Sequence, residues 1–509
     1  MAGTDYQSQS VTFGLVKSNG GLNSTASPLN VADNESTDCQ NIDYDKFGSI
    51  LKRNGYTTLN SSAFNSGAAW NSLYWFELSD DTKYLIGTCG NKLAKMDNLD
   101  GTWDDITGAL TITAGNNNHV SWITFLDTAI GTNNVNAPWQ WTGSGNATAA
   151  SVPTGLTKAK FITVFNGYVH YTGVTVSGTT HKSRTMWGNQ DSITTFDSDD
   201  FRDLNRNDGQ EITGVRVLGD KQVFFKNRSI WVEQFTGDSD IPFIFYKTPS
   251  HVGCAAPWSI QEVDNGLIFL SDDGYYYFDG VNSTKISDRI TSTLDTVLEK
   301  SRFQNSVSCY QKSKNRYWSS QSIAAASTHA RVITWDSANN AWGFYKGHNA
   351  NCFAIVNTNG QERVYFGDYS GFVYRADTGT NDNPGGVSTA IDAFHYTKWF
   401  NFDDLVNKKG TPHATIYYQI APATHSFSWS WDFDQGDQYT LTFSANTSAS
   451  VYGTAEYGTG TYASEGGAIE RKDLAGRGRV VRLKFANSAA GETMQIDGFG
   501  LIPHLETQA

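Results

Sequence analysis

Charge is scarce in this sequence: only 17% of its 509 residues are Asp, Glu, Lys or Arg, and only 4 are methionine. Against these stand 48 glycines and 13% aromatic residues, a balance that excludes helical bundles, coiled coils and disordered or fibrous chains, and favours short strands joined by tight turns. Positive charge is scarcer than negative. Lysine and arginine total 38 against 51 acidic residues, a formal net charge of -13, the wrong sign for a surface that grips nucleic-acid phosphates. No apolar run approaches the roughly 20 residues needed to cross a bilayer. Met1 to Ser10 is polar and lacks the basic and apolar regions of a signal peptide. The expectation is manufacture in a cytoplasm, with no membrane insertion.

The motifs of common chemistry are missing as well. Cys39, Cys89, Cys254, Cys309 and Cys352 form no C-x-x-C pair of the kind used for zinc or redox work, and read as small buried hydrophobes. The ten histidines include no H-E-x-x-H pair, and neither a G-x-S-x-G elbow nor a G-x-x-x-x-G-K-[ST] phosphate loop occurs. No catalytic, cofactor-binding or metal-ligating residues are therefore assigned, and the chain is read as a non-enzyme that needs no cofactor. A glycosidase requires only two well-placed carboxylates, so that reading stays open, as does a carbohydrate-binding propeller whose tryptophans stack on sugars.

What is present is a repeat. With 39% hydrophobic residues the chain can bury two or three domains, and from Ala68 to Asp377 one phrase recurs: an apolar or aromatic run, a turn with Gly, Asn or Asp, then a second run. Phe161 to Phe165, Asn166-Gly167 and Tyr168 to Tyr171 form one such hairpin. Gln222 to Phe225 with Ile230 to Val232, and Leu267 to Leu270 with Tyr275 to Phe278, form others. Related phrases at Tyr84, Thr128, Val332 and Val364 bring the count to about seven, spaced roughly 40 to 50 residues apart where nothing intervenes, the period of a four-stranded propeller blade. A β-sandwich array would show similar hairpins. One longer interval carries Ser287 or Asp288 as a helix cap, then Ile290, Leu294, Val297 and Leu298 on one face, so one short inserted helix is expected.

Gly, Asn, Asp and Pro crowd together at Thr378 to Ser388, as at a boundary. Beyond it the runs Ala414 to Ile420, Ser426 to Phe433, Tyr439 to Ser444, Arg479 to Phe485 and Met494 to Ile502 alternate apolar and polar. Tyr452 to Gly467, rich in Gly, Tyr and Thr, reads as a surface loop. The expected fold is all-β: an N-terminal arm at 1–60, a propeller of about seven blades at 61–385 and a β-sandwich-like domain at 386–509. The opening segment lies along a neighbour or supplies a strand that closes the ring.

Several clusters carry two readings. Asp203, Asn205 and Asn207 imitate half a calcium loop, but Asp208 stands where glycine belongs and Gly214 where glutamate does, which favours a solvated acidic loop. Trp139, Trp141, Trp231 and Trp342 pack between blades or stack on sugar. Basic residues gather at Lys52-Arg53 and at Arg471, Lys472, Arg477, Arg479 and Arg482. In the second group Gly476 and Gly478 let the backbone turn and present guanidiniums outward. These five residues are candidates for a subunit interface, the alternative being a solvated strand edge.

The opening phrase Gly21-Leu22-Asn23, Ser27-Pro28-Leu29, Asn41-Ile42-Asp43, Gly48-Ser49-Ile50 and Lys52-Arg53-Asn54-Gly55-Tyr56 resembles the start of tail hub or nozzle proteins of short-tailed bacteriophages. The closing phrase Gly476-Arg477-Gly478-Arg479, Leu483, Phe485, Asn487, Ile496, Gly498 and Phe499 is similar to their final β domain, so the resemblance brackets almost the whole chain. Asn54 departs from it, standing where proline is common. The resemblance implies a structural protein of the virion tail, forming a homo-oligomeric ring, six-fold by that likeness. Its implied neighbours are the portal-adaptor and tail fibres or a tail needle. The resemblance further implies that double-stranded DNA is held in the capsid and later passes through the ring, without tight binding. A receptor-binding or glycan-depolymerising tail protein is the alternative.

Overall fold

A computed structural model of the chain describes residues 17–44, 48–323, 326–411, 413–419, 423–434, 439–444 and 467–505. The chain divides into two compact units, one of residues 57–332 and 348–376, the other of the described residues up to 56, 333–347 and those from 377 on.

The larger unit is a β-propeller. Seven four-stranded sheets follow one another along the chain; five lie wholly in this unit, and the other two contain the strands where the chain passes between units. The first strands of the seven are Trp70–Glu77, Ser121–Phe125, Leu156–Phe165, Ile212–Leu218, Gln261–Val263, Val307–Gln311 and Cys352–Thr358. They lie side by side in this order, with the turn Pro257–Ser259 between the fourth and fifth, and the seventh lies against the first. The ring is fastened at that seam by residues from the chain's beginning. Thr57-Thr58 join the last sheet, the Leu59 amide donates to the Val373 carbonyl (2.8 Å), and the buried Asn60 side chain accepts from the Val373 amide (2.8 Å) and donates to the Gly371 carbonyl (3.1 Å).

Local chemistry explains the blades. Phe165 pairs with Tyr168 across Asn166-Gly167, whose φ values of 48° and 81° are those of the tight turn that matches strand twist. Between blades, Phe76, Ile86 and Leu93 of the first pack with Ala129, Trp139 and Trp141 of the second. Both tryptophans are at most 1% exposed, so truncating either to alanine costs about 3–5 kcal/mol. Trp342 is buried and Trp231 half-buried against Phe161 and Phe224, so Trp139, Trp141 and Trp342 present no open face on which a sugar could stack. All five cysteines are buried, and burial pushes the thiols of Cys39, Cys89 and Cys254 up to about 12.

The inserted helix is shorter than its sequence pattern, Thr291–Thr296 between 3-10 turns at Asp288–Ile290 and Lys300–Asn305. Its face is as expected, with Ile290, Leu294 and Leu298 buried. The cap is not: the Ser287 hydroxyl makes no capping bond and instead accepts the Tyr275 amide at 2.9 Å, tying the turn to a blade strand.

The smaller unit is a sandwich of two sheets. One orders Gly21–Leu22, Glu35–Gln40, Ala393–Thr397, Val481–Asn487, Thr424–Trp431 and Tyr439–Ser444; the other orders Ile42–Tyr44, Ile50–Lys52, Gln495–Leu501, His413–Gln419 and Gly467–Asp473. Phe485 of the first meets Phe499 of the second at 5.7 Å between ring centroids, and Phe427 adds a contact at 5.5 Å to Phe485. Of the described part of the expected arm at 1–60, Gly21–Leu22, Glu35–Gln40, Ile42–Tyr44 and Ile50–Lys52 are thus strands of this sandwich, while Thr57 to Asn60 belong to the propeller. Residues 333–347, expected within the propeller, also belong to this unit, because the Asn41 amide donates to Phe344 (2.7 Å), Arg53 to the Lys346 carbonyl (2.8 Å) and the Tyr56 hydroxyl to the Gly347 carbonyl (3.0 Å). The segment 452–466 lies outside the described residues.

Candidate functional site

The first strands of the blades surround a cavity of about 230 Å³ on the propeller axis. Six of the seven blades contribute, the third excepted, through residues on or just before their first strands. His119, Ser121 and Trp122 come from the second blade, Arg216 from the fourth, and Trp258 and Gln261 from the fifth. His119 is 4% exposed; its Nδ1 contacts the Asn71 carbonyl at 3.1 Å, while Nε2 has no partner. Burial lowers the His119 imidazole to about 4, with His329 nearby adding to the effect, so the ring is neutral at pH 7. Arg216 donates to two carbonyls, Nε to Ile260 (3.3 Å) and Nη1 to Val215 (3.2 Å), and burial lowers its pKa. The Trp122 indole donates to Ser72 Oγ at 3.1 Å and stacks on Tyr74 with centroids 5.9 Å apart.

This wall offers aromatic faces, hydroxyls, amides and one guanidinium, and no Asp or Glu lines it. It suits the holding of a small polar group; the paired carboxylates of a glycosidase are not here. Cys352 also lines it, but burial raises that thiol, so it is no thiolate nucleophile.

The half calcium loop is closed by cations of the chain itself. Asp203 accepts a fork from Arg184 (Nε and Nη2, both 2.8 Å), and these bonds hold its carboxyl below the usual range. Asp208 takes the wholly buried Lys226 ammonium at 2.8 and 2.7 Å. An ion seeking these carboxylates would have to displace two salt bridges.

The five cationic candidates separate. Arg471, Arg477 and Arg479 are exposed. Lys472 is half-buried and pairs with Glu470 at 2.7 Å. Arg479 is held by its amide on Asp432 Oδ1 (2.6 Å) and by Nε on the Val406 carbonyl (3.3 Å). Arg482 departs from the outward presentation expected of it: it is 8% exposed and lies over Tyr396 and Trp399, 4.3 and 4.8 Å from their ring centroids. Its position opposite Ser430 on the strand Val481–Asn487 turns it onto those rings, within reach of a cation–π interaction with both. Lys52 and Arg53 are buried too, at 4% and 2%. The central cavity was not legible, because its residues come from separate blades and become neighbours only when the ring closes.

No family model matches the chain, and no curated protein is similar to it. Among solved structures, the chain is similar to the computationally designed Ika8 protein, at 12% identity over 63% of this chain and 100% of that one, with a TM-score of 0.37. It is also similar to the WD40 β-propeller domain of Doa1, at 9% identity over 63% of this chain and 96% of that one, with a TM-score of 0.37. The fold stands on the seven sheets themselves: the chain is an all-β protein that carries a β-propeller and a β-sandwich.

Proposed function

We propose that this chain is a structural subunit of the tail of a short-tailed bacteriophage, a hub or nozzle ring below the portal-adaptor that retains the packaged genome and forms part of its exit channel. The observation that carries the reading is the ordered pair of phrases at the two ends of the chain. In support, the residues of those phrases hold architectural posts. Arg53 is the buried fork partner of Asp382, Gly55 abuts the Asn381 carbonyl so closely that no Cβ fits, and Leu483, Phe485, Ile496 and Phe499 are sandwich core. A family phrase made of such residues marks a shared framework rather than shared chemistry.

The task suits the physics of the chain. A propeller closed at its seam is a stiff block with few open strand edges, and such blocks join into rings through head-to-tail contacts that close by rotation. A charge of -13 on each subunit gives a conduit that repels phosphate and lets DNA slide. Particles assembled without this chain are expected to package DNA and then leak it; full, stable heads in its absence would remove the proposal.

A second reading has one observation in its favour. Trp122 and Trp258 line the central cavity beside hydroxyl and amide groups, the kind of wall on which a sugar ring stacks. A glycan array separates the two readings, since a hub is silent on it and a receptor-binder retains glycan.

A further inference from the structure

At the seam that closes the propeller ring lies a second cavity, of about 380 Å³. Its wall includes Thr57 of the closing strand, Asn98 of the first blade, and Thr358, Arg363, Tyr365 and Arg375 of the last. Tyr365 stands directly opposite Arg375 in the ladder, and Arg363 lies two residues before Tyr365 on the same face of the sheet. Two guanidiniums therefore share one side of one pocket.

Among the described residues, neither has a carboxylate to answer it. The Arg363 guanidinium donates to Gln361 Oε1 at 3.2 Å and faces the Tyr365 phenol. The Arg375 Nε is buried without a partner, and so is the hydroxyl of Thr358. No Asp or Glu lines the cavity, although the chain has 51 of them. Burial raises the Tyr365 phenol, and Arg375 and Arg363 both oppose that rise, which places their positive field on the pocket. Two like charges on adjacent strands repel, and a buried N–H without an acceptor is costly. The two guanidiniums bring positive charge to a wall without a carboxylate, and a negatively charged oxygen answers both together.

We propose that this seam cavity is a binding site for a small oxyanion, a phosphate or a carboxylate group, held between the guanidinium groups of Arg363 and Arg375. The volume accommodates a phosphate together with several waters, each taking about 30 Å³. Because the site joins the closing strand, the first blade and the last blade, its ligand fastens the ring.

The experiment is isothermal titration of the full chain with sodium phosphate and, separately, sodium acetate, at ionic strength held constant with sodium chloride. The wild type is expected to give saturable one-to-one binding to at least one of them. Arg363→Gln is expected to weaken it on the order of tenfold, and Arg375→Lys to weaken it as well, because an ammonium keeps the charge and loses the fork. Binding of phosphate alone assigns a phosphoryl ligand and binding of acetate alone a carboxylate; either upholds the site. Absence of saturable heat with both, or an Arg363→Gln titration indistinguishable from wild type, overturns it. Should Arg375→Lys fail to fold, judged by its circular dichroism, Arg363→Gln decides alone.

Discussion

Arg53 and Asp382, 329 residues apart in sequence, meet as a buried fork, Nη1 to Oδ1 at 2.7 Å and Nη2 to Oδ2 at 2.6 Å. The rest of the guanidinium is satisfied by Asn41 Oδ1 (2.8 Å) and by the carbonyls of Asn54 (2.9 Å) and Lys346 (2.8 Å). One side chain thus ties the opening segment, residues 333–347 and the segment after the propeller into the sandwich unit. Arg53→Ala is expected to destabilise that unit by about 3–5 kcal/mol, since it leaves a buried carboxylate unpaired. The double replacement Arg53→Met with Asp382→Leu should recover much of the loss. Urea denaturation followed by tryptophan fluorescence reads both, and an unchanged midpoint for Arg53→Ala would contradict the role.

Much of the propeller was legible because its turns are local. Asn166-Gly167 announces a two-residue hairpin wherever it sits, and all seven phrases became blades. The membership of residues 333–347 was not legible, because it rests on hydrogen bonds from Asn41, Arg53 and Tyr56 some 290 residues or more away in sequence. Arg482 was misread for a related reason: strand position sets its direction, and the Tyr396 and Trp399 rings that receive it come from another part of the chain. His119 and Arg216 carry no local sign at all. Only an alignment of the first strand of every blade would have hinted that their side chains converge.

Acid should unfold the protein early. Burial depresses His119 and His329 to about 4, and His170 and His395 to about 3. A base whose folded pKa is depressed gives stability that is full above its unfolded value near 6.5 and is lost as pH falls toward the folded one, about 3 kcal/mol per histidine. Glu233, 3.8 Å from His170, works in the opposite sense: burial raises it well above 4.5, so its folded form keeps a proton and gains as pH falls toward 4.5. Four histidines outweigh one glutamate, so the melting temperature should drop steeply between pH 6.5 and 4. A flat profile across that window would show that these rings are not buried as neutral bases.

Assembly should depend on the exposed cations and not on the stacked one. Arg477→Glu with Arg479→Glu is expected to leave the isolated chain folded and to reduce its incorporation into virions, because rim charges govern association more than core stability. Arg482→Glu is expected to fail earlier, at folding, since it puts a carboxylate on two aromatic faces. Normal incorporation of the double variant would make the cluster a solvated strand edge.

Duplex DNA should bind negligibly at physiological salt. A channel whose lysines and arginines gripped phosphates would hold the genome against ejection, whereas the excess of acidic residues keeps the polymer mobile, and repulsion should strengthen as salt falls and the Debye length grows. A mobility-shift assay on assembled rings at low and moderate salt reads this. Tight binding that weakens steeply with added salt would mean that basic groups are concentrated on the lumen.

The central claim, that this chain is a ring-forming tail subunit, is tested most directly by negative-stain imaging of the purified chain mixed with the virion's portal-adaptor protein. Closed rings, six-fold by the family likeness and seated on the adaptor, are the expected result. Isolated monomers beside an unoccupied adaptor, at concentrations where both are folded, would contradict it.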